Sequence, residues 1–234
     1  SPSALRRLID ERELVLPRRM FGVAFHLEVT MFVVTPAYAD AEAIRQYFLQ
    51  VKGVREGNII YLKDATSAQI TGVFGSHRSH KGKLFNWTKP NISKIYIYYA
   101  GHGELDVGAK KGYWLPVDAA RDDPSNWIMT DQVVAQITAM EAKHVMVVAD
   151  SCFSGTLVRG LKIKERSPDY IQRMVKKKAR TALTSGGLEP VTDVGGGNHS
   201  VFAQSFMRIL NENDGVLDGH QLFTTLRRQV MMGA

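Results

Sequence analysis

Two residues of this chain have the side chains that acyl transfer needs, and each sits in a turn just past an apolar run. Cys152 lies in Asp150-Ser151-Cys152-Phe153-Ser154-Gly155, and His102 in Ala100-Gly101-His102-Gly103. A cysteine attacks as its thiolate, and an imidazole beside it both accepts the thiol proton and favours the anion by its charge. Glycines on either side of His102 permit tight turns and let a substrate carbonyl come close to the backbone. The amides of Gly103 and Cys152 are then candidate donors to the oxyanion that acyl transfer generates. Cys152 is the single cysteine of the chain, so no internal disulfide can form. Taken alone such a thiol reads as a small buried hydrophobe, and a histidine in a glycine-rich loop reads as a solvated loop residue. The two together point to a cysteine nucleophile and its base.

Those turns must be held by strands. Residues 94–99 (KIYIYY) and 144–149 (HVMVVA) are β-branched and aromatic runs bounded by polar turns, which predicts two strands. Between them Val133, Val134, Ile137 and Met140 fall on one helical face, with Thr130 as the expected N-cap. A strand, helix, strand order implies a right-handed crossover and a parallel pair. In an open parallel sheet the ligand site forms beyond the carboxyl ends of the strands, where both reactive residues fall. Further strands are expected at 58–62 and 180–184, and residues 20–34 are apolar enough for another. Ile44, Tyr47, Phe48 and Val51 give a second helical stripe, capped by Asp40. Phe202, Phe206, Ile209 and Leu210, then Leu222, Phe223, Leu226 and Val230, predict two more helices, joined by a polar loop at 211–219. The alternation, without repeats or low-complexity linkers, predicts an α/β fold with a mostly parallel central sheet flanked by helices.

Composition narrows the functional classes. The chain has 234 residues, 44% of them hydrophobic, enough for the core of one large domain. Its formal charge of +7 is matched by residues 159–180 alone, where nine Lys or Arg stand against two acids. The rest is neutral and carries no basic face interleaved with aromatics, which argues against a nucleic-acid partner. If one existed, its salt-dependent binding would vanish on neutralising 159–180 and survive loss of Cys152. No run approaches the roughly eighteen apolar residues of a membrane span. Arg18 and Arg19 precede an apolar stretch ending in Ala37-Tyr38-Ala39, which mimics an export cleavage site. His26 and Glu28 interrupt that stretch and its alternation fits a strand, so a cytoplasmic location is expected and export stays open. Residues 1–19 read as a basic leader outside the core, and 20–234 as the domain.

Tyr98-Tyr99-Ala100-Gly101-His102-Gly103 and Asp150-Ser151-Cys152-Phe153-Ser154-Gly155 resemble the paired motifs of bacterial caspase-like and metacaspase peptidases, and their separation of 50 positions resembles that family's spacing. Gly112-Tyr113-Trp114-Leu115-Pro116-Val117-Asp118-Ala119 is similar to the family's stretch after the histidine loop. The resemblance implies a caspase-like (caspase-hemoglobinase) fold, a Cys-His dyad, and peptide-bond hydrolysis through a thioester acyl-enzyme. It requires no metal or other cofactor for the chemistry.

By the same resemblance, Asp150, Ala100 (where metacaspases usually carry Ser) and Asp40 line the pocket for the residue before the cut. A carboxylate there pairs with Arg or Lys, so the expected partner is a peptide or protein with a basic residue at that place. Asp40 has helix capping as its alternative role. Residues 181–193 are similar to the strand and loop that line the family's substrate groove, and the glycines at 195–197 favour a flexible loop after it. The basic segment lies where relatives are cut, and Lys176, Lys177, Lys178 and Arg180 are candidate self-processing positions, with a solvated loop as the alternative. Calcium dependence is left undecided: Asp118, Asp122 and Asp123 suggest a site, while Arg159 stands where a carboxylate is expected. The rival reading keeps the fold and makes the chain a catalytically weak interaction module in a signalling assembly with further domains.

Overall fold

Strands form where β-branched and aromatic residues run together, and helices where apolar residues recur at helical spacing. The computed structural model describes residues 27–33, 38–151, 179–185, 199–213 and 219–233. In chain order its elements begin with β1 (Leu27–Val33), α1 (Tyr38–Gln46), β2 (Ile59–Lys63), α2 (Ser67–Phe74), α3 (Lys83–Trp87), β3 (Lys94–Ala100) and β4 (Gly103–Asp106). They continue with β5 (Lys111–Trp114), β6 (Ile128–Met129), α4 (Thr130–Ala139), β7 (His144–Asp150), β8 (Ala179–Thr184), α5 (Val201–Glu212) and α6 (Gly219–Gly233).

The main sheet has the order β2-β1-β3-β7-β8, and every neighbouring pair is parallel. A parallel sheet is stable when helices cover both faces, and strand alternation divides the core accordingly. Ile95, Ile97 and Tyr99 of β3 join Val145, Val147 and Ala149 of β7 on one face, under α2 and α4. Tyr96, Tyr98 and Ala100 join Val148 on the other, under α1, α5 and α6. Asp150 is two residues past Val148, so it belongs to this second face, at the edge where the strands end.

α1 is built from good helix formers (YADAEAIRQ), buries Ala41 and Ile44, and carries a Glu42–Arg45 ion pair at 3.1 Å. Its last turn widens into a π-helical stretch, Tyr47–Val51, which puts both Tyr47 and Phe48 into the core. Burial pushes the Tyr47 phenol up to about 12. Asp40 stands inside the first turn of α1, so the expected N-cap is corrected: its carboxylate serves a tertiary contact described below. Thr130 is likewise the first residue of α4 and not its cap, because its hydroxyl donates to Gly112 O of β5 at 3.0 Å. Val134, expected on the core face, is 43% exposed, whereas Val133, Ile137 and Met140 are buried.

A second, antiparallel sheet β4-β5-β6 follows directly from β3 and was not expected from the sequence. Neither were the short helices α2 and α3. α2 begins with a Thr66–Gln69 capping box and ends at Gly75, whose φ of +98° suits only glycine; a Cβ there would lie 2.5 Å from Ser79 O. Within the segment read as a possible export signal, residues 27–33 form β1, and Tyr38 and Ala39 open α1, while 18–26 and 34–37 lie outside the described residues. Among the described residues no helix is long and apolar enough to cross a membrane.

Candidate active site

The register Ala100↔Asp150 brings the ends of β3 and β7 level, so their outgoing turns are neighbours. Gly101 N–H donates to Asp150 O at 3.2 Å, and Ser185, just after β8, donates through its amide to Ala149 O at 3.0 Å and through its hydroxyl to Ser151 O at 3.3 Å. Three successive strand ends are thus laced together around residues 101, 151 and 185. Ser151 is buried. Cys152 lies outside the described residues, as do 153–178 and 186–198, so the structure places one member of the expected dyad.

That member, His102, has an exposed side chain on a pinned backbone. Its carbonyl accepts from Leu115 N–H at 3.0 Å and from the Tyr99 hydroxyl at 2.7 Å. Tyr99 is fully buried, stacks on Trp114 with ring centroids 4.3 Å apart, and also reaches Leu115 O at 3.3 Å. Burial pushes its phenol far above the ordinary value, so it is always a donor. The bond from Leu115 to His102 lies one step outside the Gly103–Trp114 pair, which makes that pair the non-hydrogen-bonded kind. The ladder therefore does not use the Gly103 N–H.

The expected pocket carboxylates share one partner, Ser200, although 110 positions separate them in the chain. Asp40 is 3% exposed, and its two oxygens contact His199 Nδ1 at 2.5 Å and Ser200 N–H at 3.3 Å. The Ser200 hydroxyl donates to Asp150 Oδ2 at 2.5 Å and accepts from Ala203 N–H at 2.9 Å, as the N-cap of α5. The positive end of the α5 dipole faces the same two carboxylates. Tyr98, fully buried behind them, has its phenol raised well above the ordinary value by burial first and then by the charges of Asp150 and Asp40. Its hydroxyl has no hydrogen-bond partner among the described residues. Ala100 is also fully buried and offers only a methyl to this corner.

His199, Ser200 and Tyr99 were not singled out from the sequence. Ser200 carried a signal, since it directly precedes the apolar periodicity of α5 in the manner of an N-cap. Tyr99 stood inside the quoted histidine motif without a role of its own, and nothing in the chain marked His199 as a site neighbour.

The remaining expected residues fall elsewhere. Arg180 lies within β8, opposite Val145, so the backbone of this candidate self-processing position is part of the parallel ladder. Lys176, Lys177 and Lys178 lie outside the described residues. Asp118 accepts from Ser67 N–H at 2.8 Å at the start of α2. Asp123 bonds the hydroxyl and amide of Ser125, which hold its carboxyl below the ordinary value. Both carboxylates are thus tied to turns, and among the described residues no group of three or more His, Cys, Asp or Glu could hold a metal ion. A surface cleft lined by Ser67, Thr71, Gly75, Ser79, Asp118 and Asn126 shares no residue with the site above.

A family model of the caspase domain matches residues 36–233. This chain belongs to the caspase family. The caspase domain so defined takes in every described element from α1 onward, leaving β1 just ahead of it. The family is one of cysteine peptidases, whose substrates are proteins, and the parallel sheet flanked by helices is its fold. No curated protein matches the chain.

Proposed function

We propose that this caspase domain is an endopeptidase that cuts after Arg or Lys, with Cys152 as nucleophile and His102 as the proton carrier. The observation that carries the specificity is the sharing of Ser200 by Asp40 and Asp150 at the end of the sheet, beside the loop of His102. Two carboxylates held close repel each other in a partly buried site, and a cationic side chain relieves that repulsion. A guanidinium or ammonium group has the donors and the charge to do so.

In the proposed reaction the Cys152 thiol gives its proton to His102, and Sγ attacks the carbonyl carbon of the scissile bond. The C=O electron pair moves onto oxygen, which the amides of Gly103 and Cys152 stabilise. Collapse breaks the C–N bond, and the imidazolium returns its proton to the leaving amine. Water, deprotonated by His102, then attacks the thioester, releasing the acid and restoring the thiol. The Gly103 N–H, which the β4–β5 ladder leaves unused, and the fixed backbone of His102 support these roles.

Fluorogenic peptides ending in Arg, Lys or Asp test the reading directly, run with and without calcium. Turnover of the Arg and Lys peptides, abolished in Cys152→Ala, is the expected result. A preference for Asp would overturn the pocket assignment, and no turnover by freshly reduced protein would favour the interaction-module reading. The same preparation tests self-cleavage after Lys176, Lys177 or Lys178, which should give two fragments from the wild type and none from Cys152→Ala.

A further inference from the structure

The basic-residue pocket proposed above needs its two carboxylates in fixed positions, and the group that fixes them comes from a part of the chain that carries neither. Asp40 rides on α1 and Asp150 on the end of β7. Ala100, the sheet neighbour of Asp150, has no polar side-chain atom to hold it. A donor arrives from α5, whose N-cap touches both acids at once: the Ser200 hydroxyl reaches Asp150, and the Ser200 amide reaches Asp40. Ser200 is itself immobilised, because its hydroxyl oxygen receives Ala203 N–H from the first turn of the helix. A hydroxyl that must accept from that amide has its proton directed away from the helix, toward Asp150. His199, one residue before, covers the other oxygen of Asp40; its side chain is 39% exposed and that of Asp40 only 4%.

We propose that Ser200 is a specificity-positioning residue, which clamps Asp40 and Asp150 into one preorganised dianionic site for the cationic side chain of the substrate. The clamp does two things. It offsets the repulsion between the acids with charge-assisted hydrogen bonds and the α5 dipole, and so holds them close together. It also removes the rotameric freedom of the carboxylates before substrate arrives, so less order is lost on binding. Ser200 touches no reacting atom, and its effect should be confined to substrates with a basic residue before the cut. The inference rests on the Arg/Lys reading of the pocket.

Ser200→Gly separates the clamp from the cap, because glycine is itself a favoured N-cap residue and costs the helix little, whereas the hydroxyl is lost entirely. Three quantities decide the matter: steady-state kinetics on an Arg peptide and on the same peptide with norleucine in place of Arg, the affinity of the small cation p-aminobenzamidine followed by its fluorescence, and the thermal midpoint. For Ser200→Gly the Arg peptide should show KM raised about tenfold, the size expected for losing one hydrogen bond to a charged group, with kcat falling by less. Affinity for p-aminobenzamidine should fall in parallel, the norleucine peptide should be unaffected, and the midpoint should move little. Ser200→Thr, which restores hydroxyl and cap, should recover the Arg-peptide KM. Wild-type affinities for Arg peptide and benzamidine in Ser200→Gly would overturn the clamp while leaving the Arg/Lys pocket intact. Equal losses on Arg and norleucine peptides would also overturn it, in favour of a general folding role. Failure of the wild type to bind benzamidine or cut after Arg would remove the pocket reading and the clamp together.

Discussion

The two ends of strands β3 and β7 each gather like charges, and the protein relieves them in opposite ways. At the amino end, register sets Lys94 against His144, with Lys143 beside them. Burial, and then the charge of Lys143, lowers the Lys94 pKa to about 8. The crowding there loosens the hold of Lys94 on its proton. At the carboxyl end, Asp150 stands near Asp40, and Ser200, His199 and the start of α5 supply donors to both. Both acids are thus held by hydrogen-bond partners, and under the proposed function this pair is where a ligand of opposite charge belongs. On the proposed reading, the same sheet has one end that merely tolerates charge and another that displays it to a ligand.

The largest effects should come from the chemistry at the displaying end. Cys152→Ala should lower turnover at least 10³-fold on every substrate, and His102→Ala comparably, as steady-state rates would read. Residual activity of Cys152→Ala near the wild-type rate would mean that the nucleophile lies elsewhere. Asp150→Asn should act differently. It should cost about 100-fold in kcat/KM on Arg peptides and little on norleucine peptides, with thermal stability kept, since one of two repelling charges is gone. An equal loss on both substrates would erase the contrast between catalytic loop and pocket.

Smaller changes sharpen the comparison. Tyr99→Phe removes the donor to His102 O and Leu115 O and leaves these part-buried carbonyls short of a partner, so denaturant unfolding should show a loss of about 1 kcal/mol, and turnover should fall several-fold. A neutral result would show that Leu115 N–H alone holds the loop. At the tolerating end, Lys94 binds its proton less tightly folded than unfolded. Between about pH 8 and its ordinary 10.5 the unfolded chain holds more protons, and stability should rise with pH across that window. In Lys143→Gln the rise should shrink, as melts at pH 8 and 10 would show; an unchanged slope would exclude the Lys143 contribution. Least of all, Tyr98→Phe should leave stability within about 0.5 kcal/mol or raise it, because it deletes a buried hydroxyl that no described residue satisfies. A clear destabilisation would reveal a partner for that hydroxyl.

The main sheet was largely legible. β3, β7 and β8 begin or end within one residue of the apolar runs that announced them, because a strand buried on both faces must be continuously β-branched or aromatic. α5 and α6 were visible for the complementary reason, a long stripe at helical period. α2 and α3 escaped because eight and five residues hardly repeat a helical period. β4 to β6 escaped because two- and four-residue strands show no alternation, and their pairing is supplied by Tyr99, Trp114 and Thr130 from the neighbouring core. The caps assigned to Asp40 and Thr130 failed alike. Local propensity favoured a cap at each, and a distant partner, His199 with Ser200 or Gly112, claimed the side chain.

By itself the sequence determined the reactive residue types, the strands that end in them, and hence the family: these depend on neighbours in the chain, and a short motif carries that information. Only the tertiary structure decided what surrounds them. Asp40, Asp150 and Ser200 lie on three elements far apart in the chain, and no periodicity could show that one hydroxyl and one amide would join them. That junction is set by how α1 and α5 pack on the same face of the sheet, where Ala41, Ile44, Phe202 and Phe206 share one core with Tyr98 and Val148. Burial of these apolar side chains fixes where the helix ends fall, and the helix ends bring the charges together.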